Sequence, residues 1–257
     1  GRYVGLYHRP WGGALAWRLR GKMRFDTNLR VTRAMVDALV DHLLDERGKA
    51  VLARRQSVDT ACRIAGIRVR LNIYRTLQGT TIAMRLLPGR VPRLDELNLH
   101  PSLKDIAALE AGLVLVGGAS GSGKSTTIAA LVEEVNQQRA AHVITLEDPV
   151  EYRFTSVTAS IVQREIGSHT PSFEQGLTDV LREDPDVIVV GEIREPRTMQ
   201  LTLQAAETGH VVIASIHATS PADAAISATA ADSTAMPVGV VRFGNFMVDL
   251  RSAVIIP

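Results

Sequence analysis

The sequence predicts an α/β fold: a parallel sheet with flanking helices over residues 96–257, preceded by a smaller α+β domain over residues 1–95. Three observations predict it. From about residue 98, short apolar runs alternate with segments of helical length, and strands joined in that way pair in parallel. Between the first of those runs and its following helix stands Gly118-Ala119-Ser120-Gly121-Ser122-Gly123-Lys124-Ser125, which fits G-x-x-x-x-G-K-[ST] at every fixed position. Charge divides near the same boundary: residues 1–95 hold 19 Lys and Arg against 7 Asp and Glu, residues 96–257 hold 10 against 20, and the net charge is +2.

Residues 1–25 are the least legible. Arg2, Arg9, Arg18, Arg20, Lys22 and Arg24 precede the first acid, Asp26, and stand with Trp11 and Trp17. A membrane- or nucleic-acid-binding arm is one reading; the edge of a small sheet or a solvated terminus is the favoured one. Val31, Ala34, Met35, Ala38, Leu39, His42 and Leu43 recur at helical spacing and predict an amphipathic helix over residues 31–45, with His42 at the edge of the core. Ile67, Val69, Leu71 and Ile73 alternate with Arg68, Arg70, Asn72 and Tyr74, as in a half-buried strand with a basic outer face. Gln78-Gly79-Thr80 turns the chain into a second strand, Thr81–Leu87, and Pro88-Gly89 and Pro92 end the unit. Beyond it, strands are expected at residues 113–116, 142–146, 187–190 and 211–216, and helices at 102–109, 125–138, 173–183 and 197–207. Residues 222–235, rich in Ala, Ser and Thr, fit a helix only weakly.

The glycine-rich loop is the strongest chemical signal. Its glycines let successive backbone N–H groups turn onto phosphate oxygens, and the helix behind it offers its positive end. ATP and Mg²⁺ are the expected ligands. Lys124 reaches the β- and γ-phosphates, the Ser125 hydroxyl holds Mg²⁺, and Thr126 follows in the first turn. Ligands of open α/β sheets bind at the C-terminal ends of the strands. Glu147-Asp148-Pro149-Val150-Glu151, Gly191-Glu192-Ile193-Arg194 and His217 all follow expected strands, and Thr208-Gly209-His210 precedes the last strand. Hydrolysis needs a held metal, an oriented water and stabilised developing charge. Glu192 is best placed to orient or deprotonate the water. Glu147 would contact Mg²⁺ through water or help position the nucleophile, so Ser125, Glu147 and Glu192 form the expected metal set. Asp148 and Glu151 carry weaker claims, and Asp186, at a strand start, reads as a structural cap.

Hydrophobic residues make up 46% of the 257, enough for a core in one large or two modest domains. A single cysteine, Cys62, excludes an intrachain disulfide and a zinc module built on several cysteines, and it fits a reducing compartment. The apolar runs are too short to span a bilayer, and no secretory signal opens the chain. A start at Gly1 rather than Met fits a piece of a longer protein. The basic half leaves several partners open: nucleic acid, an anionic membrane, solvent alone, or the acidic domain of a neighbouring copy, whose nucleotide it would supply with arginines. The last is favoured. Only 4% of residues are aromatic, which disfavours base stacking, so no stable nucleic-acid binding is expected.

Four boxes in order resemble those of the secretion ATPase superfamily, most of all its PilT-like type IV pilus motors. They are the phosphate loop, Ile144–Glu151, Val187–Glu192 with Ile193-Arg194, and Thr208-Gly209-His210 through His217-Ala218-Thr219. Arg164-Glu165-Ile166-Gly167 and Leu181–Asp186 also look familial, and the match runs from about residue 37 to 221. The resemblance implies a RecA-like P-loop NTPase domain behind a PAS-like N-terminal domain, assembled as a homo-hexamer with nucleotide between domains. It implies that Glu192 is the catalytic glutamate, that Glu147 supports metal and water, and that His210 and His217 sense the γ-phosphate and couple it to domain movement. It also implies that N-terminal arginines reach the nucleotide; Arg70, Arg75 and Arg85 fall in the matching strands, and which of them does so stays open.

The expected function is an ATP-hydrolysing hexameric motor of a type IV pilus or related secretion system. It would work on a platform protein at the cytoplasmic face of the inner membrane. A type IVB secretion ATPase and a RecA-like nucleic-acid translocase are the alternatives. A small-molecule kinase would need an acceptor site and an Arg-rich lid, and a non-catalytic switch would not need Glu192. Two departures matter. The family's C-terminal helices, with their retraction motif, do not follow residue 222, and the four-cysteine zinc module of many type II secretion ATPases is absent.

Overall fold

Contacts divide the chain into two units, Gly1–Gly89 and Arg90–Pro257. The structure, a computed structural model, describes residues 3–7, 13–19, 22–217, 241–243, 246–248 and 254–256. The expectations for Arg2, Arg9, Trp11, Arg20, Ala218, Thr219 and a helix over 222–235 lie outside these residues.

The first unit is built on an antiparallel sheet. Strands β1 (Tyr3–Tyr7), β2 (Gly13–Leu19) and β3 (Lys22–Val31) lead to helices α1 (Arg33–Leu43) and α2 (Glu46–Arg55), and then to β4 (Ser57–Ile64), β5 (Ile67–Thr76) and β6 (Gly79–Leu86). Their order is β3-β2-β1-β6-β5-β4. Each helix begins on a side-chain cap: Thr32 accepts from the Met35 N–H at 3.3 Å and Asp45 from the Gly48 N–H at 2.7 Å. Val69, Leu71 and Ile73 of β5 are buried as their alternation requires, under Val36, Val40 and Leu52. Two expectations need correcting. Ile67, at the strand start, is 51% exposed. The buried stripe of α1 is Val36 and Val40 with Leu39 and Leu43, whereas Ala34, Met35, Ala38 and His42 face solvent. Both rows have helical spacing; the one with larger aliphatic side chains removes more apolar area from water.

The second unit begins earlier than residue 96, because Leu94 already packs in its core and Arg90 bonds Glu96 at 2.7 Å. A 3-10 helix, Pro101–Ala108, stands where an α-helix is expected. The unit continues with β7 (Gly112–Gly117), α3 (Lys124–Gln138), β8 (His142–Glu147), β9 (Ser160–Glu165), α4 (Phe173–Val180), β10 (Val187–Ile193), α5 (Pro196–Glu207) and β11 (Val211–Ile216). Short strands β12 (Val241–Phe243), β13 (Phe246–Val248) and β14 (Val254–Ile256) complete a sheet ordered β12-β13-β14-β7-β11-β10-β8-β9. From β14 to β9 all pairings are parallel. One apolar layer joins α3 and the 3-10 helix to the sheet, and a second joins α4 and α5 to its other face. Burial on both faces explains why β7, β10 and β11 read as unbroken apolar runs. Since β11 lies between β7 and β10, the loop after β7 and the end of β10 sit roughly 10 Å apart.

Candidate nucleotide site

The glycine-rich loop runs from β7 into α3. Gly123 caps α3 at φ 106°, a left-handed conformation that glycine adopts without strain, and no side chain caps the helix. The leading amides of α3 therefore remain available to an anion. Lys124 folds back over the loop, its Nζ donating to the Gly118 carbonyl at 2.7 Å and the Ala119 carbonyl at 3.1 Å. Burial lowers its pKa, and the charge of Glu192 works against that shift. Ser125 is exposed in the first turn, and the Thr126 hydroxyl lies 3.1 Å from the Tyr152 hydroxyl.

Glu192 reaches this region through an irregularity. β10 and β11 slip register between Val190 and Ile193, and Ser215 Oγ donates to the Gly191 carbonyl at 2.6 Å. Such slips re-aim a side chain. Gly191 also lets β8 and β10 converge: a Cβ there would stand 3.0 Å from the Leu146 carbonyl oxygen and 3.2 Å from the Glu147 Cα. Both oxygens of Glu192 are engaged. Oε1 lies 2.6 Å from His217 Nε2, while Arg194 approaches Oε2 with Nη2 at 2.6 Å and Nε at 2.8 Å. This pairing raises the Arg194 pKa.

Glu147 ends β8. Thr145 Oγ donates to its Oε1 at 2.6 Å and Gln163 Nε2 at 3.0 Å. Burial raises its pKa first of all; the Thr145, Gln163 and Glu151 N–H bonds oppose the rise, and the Glu151 charge adds to it. A nearby cation would favour the ionised form. Ser125, Glu147 and Glu192 offer the hard oxygen donors Mg²⁺ prefers. Among the described residues no three His, Cys, Asp or Glu gather as a cage.

The structure brings Lys124, Glu147, Glu192 and His217 to one end of the sheet. It does not bring His210 there. His210 precedes β11, where its carbonyl accepts from the Gly112 N–H at 3.0 Å and its Nδ1 lies 2.9 Å from the Ala205 carbonyl. The length of β11, about 20 Å at some 3.3 Å per residue, separates it from His217, so within this chain His210 secures the α5–β11 turn. Asp186 caps as expected: its Oδ2 accepts from the His142 N–H at 2.7 Å.

The three arginines belong to the first unit and do not form one set. Arg70 and Arg85 are cross-strand partners, with Asp59 3.6 Å from Arg70. Arg75 falls on the opposite face by alternation and donates to Thr80 Oγ1 at 2.9 Å. Thr145 and Gln163 escape the sequence reasoning as site residues, and Arg194, named there among the strand-end groups, is given no role. Gln163 directly precedes the Arg164–Gly167 segment, and Arg194 follows Glu192 within its box, so both had a positional signal.

A profile described as "Type II/IV secretion system protein" matches residues 31–229. Among curated proteins, the chain is 44% identical over 212 residues to the uncharacterized protein YggR of Escherichia coli, covering 81% of this chain and 63% of that one. It is 38% identical over 206 residues to a twitching motility protein of Neisseria gonorrhoeae (80% and 55% covered) and 37% identical over 188 residues to the type IV pilus retraction ATPase PilT of Pseudomonas aeruginosa (73% and 55%). The chain thus spans 55 to 63% of the length of these relatives. Among solved structures, the pilus retraction motor PilT with bound ADP superposes with TM-score 0.84 at 29% identity, covering 98% of this chain and 78% of that one. The ATPase DotB of Legionella pneumophila follows at TM-score 0.75 and 27% identity, with 90% and 65% covered. The parallel sheet is accordingly of the RecA-like α/β type. No helix among the described residues is long and apolar enough to cross a membrane. With the profile spanning most of the chain, the chain belongs to the type II/IV secretion system protein family.

Proposed function

We propose that this chain binds and hydrolyses ATP as the engine of a type IV pilus or related secretion motor. One observation carries the reading: Glu192 and Glu147 stand near the ends of the adjacent strands β10 and β8, and β10 lies one strand from β7, which runs into the phosphate loop. Loop amides and the end of α3 bind the phosphates, and Lys124 exchanges its two carbonyl partners for phosphate oxygens. Ser125 and Glu147 would hold Mg²⁺, which would neutralise phosphate charge during transfer. Glu192 orients the attacking water once an oxygen is released by Arg194 or His217, and His217 reports that release along β11. Similarity to the PilT-like motors supports assembly as a homo-hexamer, and the basic charge of the first unit supports a reading in which Arg70, Arg75 or Arg85 serves a neighbour's nucleotide, on a pilus or secretion platform at the inner membrane's cytoplasmic face.

Steady-state ATP hydrolysis and sizing in ATP and Mg²⁺ test this. Glu192→Gln is expected to keep ATP binding and lower turnover by about 10²–10⁴-fold. Lys124→Ala is expected to lose binding. Wild-type turnover that survives Glu192→Gln would sink the catalytic assignment, and a monomer that binds ATP without hydrolysing it would make the chain a switch.

A further inference from the structure

Gln163 makes three hydrogen bonds that call for a side-chain amide, with two donations from its nitrogen and one acceptance on its oxygen. It lies on β9 in register with Thr145 of β8. Its Nε2 donates to Glu147 Oε1 at 3.0 Å and to the Tyr152 carbonyl at 2.8 Å, while its Oε1 accepts from the Phe154 N–H at 3.1 Å. Two acceptors on the nitrogen and one donor on the oxygen fix the amide's orientation, because the flipped amide would set oxygen against two oxygens. Thr145 donates to the same Glu147 oxygen from the neighbouring strand. One carboxylate oxygen is thereby pinned from two strands, and the direction of the other follows. Tyr152, whose carbonyl shares the amide, returns its hydroxyl to Thr126, in the first turn after Lys124.

We propose that Gln163 is a positioning residue that aims the Glu147 carboxylate at the nucleotide's metal and, through Tyr152 and Thr126, ties that aim to the phosphate-loop helix. The proposal rests on the ATPase reading above. A glutamate at this position would set one carboxylate against another, and a leucine would leave Glu147, the Tyr152 carbonyl and the Phe154 N–H without this partner.

The test uses a fluorescent ADP titrated with and without Mg²⁺, alongside turnover, for wild type, Gln163→Leu, Gln163→Glu and Tyr152→Phe. In both Gln163 variants the metal-free affinity should stay within about twofold of wild type, while the extra affinity conferred by Mg²⁺ and the kcat fall about 10–100-fold, the range seen when a partner of a metal ligand is removed, and KM for the Mg²⁺-bound nucleotide rises with the lost affinity. Tyr152→Phe should lie between them and wild type. A wild type with no nucleotide affinity would sink the ATPase reading itself. A wild type that gains affinity with Mg²⁺ beside Gln163 variants that gain as much would overturn this proposal alone. So would variants that melt earlier but keep the wild-type Mg²⁺ response, because Gln163 would then support only the fold.

Discussion

Gly191 and Glu147 show how single atoms set this site. A methyl group on Gly191 would meet the Leu146 carbonyl at 3.0 Å and the Glu147 Cα at 3.2 Å, both backbone atoms that cannot rotate away. Gly191→Ala should cost about 1–3 kcal/mol of stability, the range for overpacking, and should lower turnover more than nucleotide affinity, since it pushes Glu147 and Glu192 apart without touching the loop. Parallel melts and ATPase assays check it; equal losses in both would place the effect in the fold. Glu147 titrates against its surroundings. Its folded-state pKa lies above the ordinary 4.5 because of burial, so the proton is held more tightly in the folded than in the unfolded chain. Stability from this group is full below the ordinary carboxylate range and is lost as pH rises through the raised value. Without nucleotide or metal, Glu147→Gln should melt like wild type in acid and later than wild type at neutral pH. A gap that does not widen with pH would contradict it. The placement of Glu147 and Glu192 at strand ends was legible because the apolar runs before them mark β8 and β10. Gln163 was not, because its role depends on a strand the periodicity did not reveal. His210 stands apart from Glu147 and Glu192 because its box spans the whole of β11, which separates its two histidines.

Elements buried on both sides were the easiest to read. β7, β10 and β11 announce themselves as apolar runs, while β9, at the β8 side of the sheet, mixes Ser160, Gln163, Arg164 and Glu165 with two aliphatics and has no clear period. α2 escaped notice because Arg and Lys dominate it and only Leu52 is fully buried. β8 pairs with β9 along its length, and the end of α3 anchors the loop that leads into it. Asn136, 0% exposed, donates from Nδ2 to the Thr155 carbonyl at 2.9 Å and accepts on Oδ1 from the Val157 N–H at 3.0 Å, while its carbonyl receives the Thr158 N–H at 2.9 Å. Replacing it by alanine removes two hydrogen bonds to the exposed residues Thr155 and Val157 at about 0.5–1.5 kcal/mol each, so Asn136→Ala should cost roughly 1–3 kcal/mol. Denaturant unfolding measures it. A loss under about 1 kcal/mol would mean water takes over both groups.

At the scale of the molecule, the charge division follows the structural one: the arginine-rich strands lie in Gly1–Gly89 and the acids of the nucleotide site in Arg90–Pro257. If arginines of one copy serve the nucleotide of another, the sheet's geometry restricts how they do it. Arg70 and Arg85 face the same way at one register position, whereas Arg75 faces the other way near the strand end. Two guanidiniums on one face can approach one phosphate group together; a third on the opposite face cannot join them. Turnover measured for the single and double alanine variants should therefore separate the three. Arg70→Ala and Arg85→Ala should each lower kcat by roughly tenfold or more, and the double variant should lose less than the product of the two, since the residues act as one unit. Arg75→Ala should combine multiplicatively with either. Multiplicative losses for Arg70 and Arg85 would show that they serve different groups. Wild-type turnover in all three single variants would remove the first unit from the chemistry and leave its charge to solvation or to another partner.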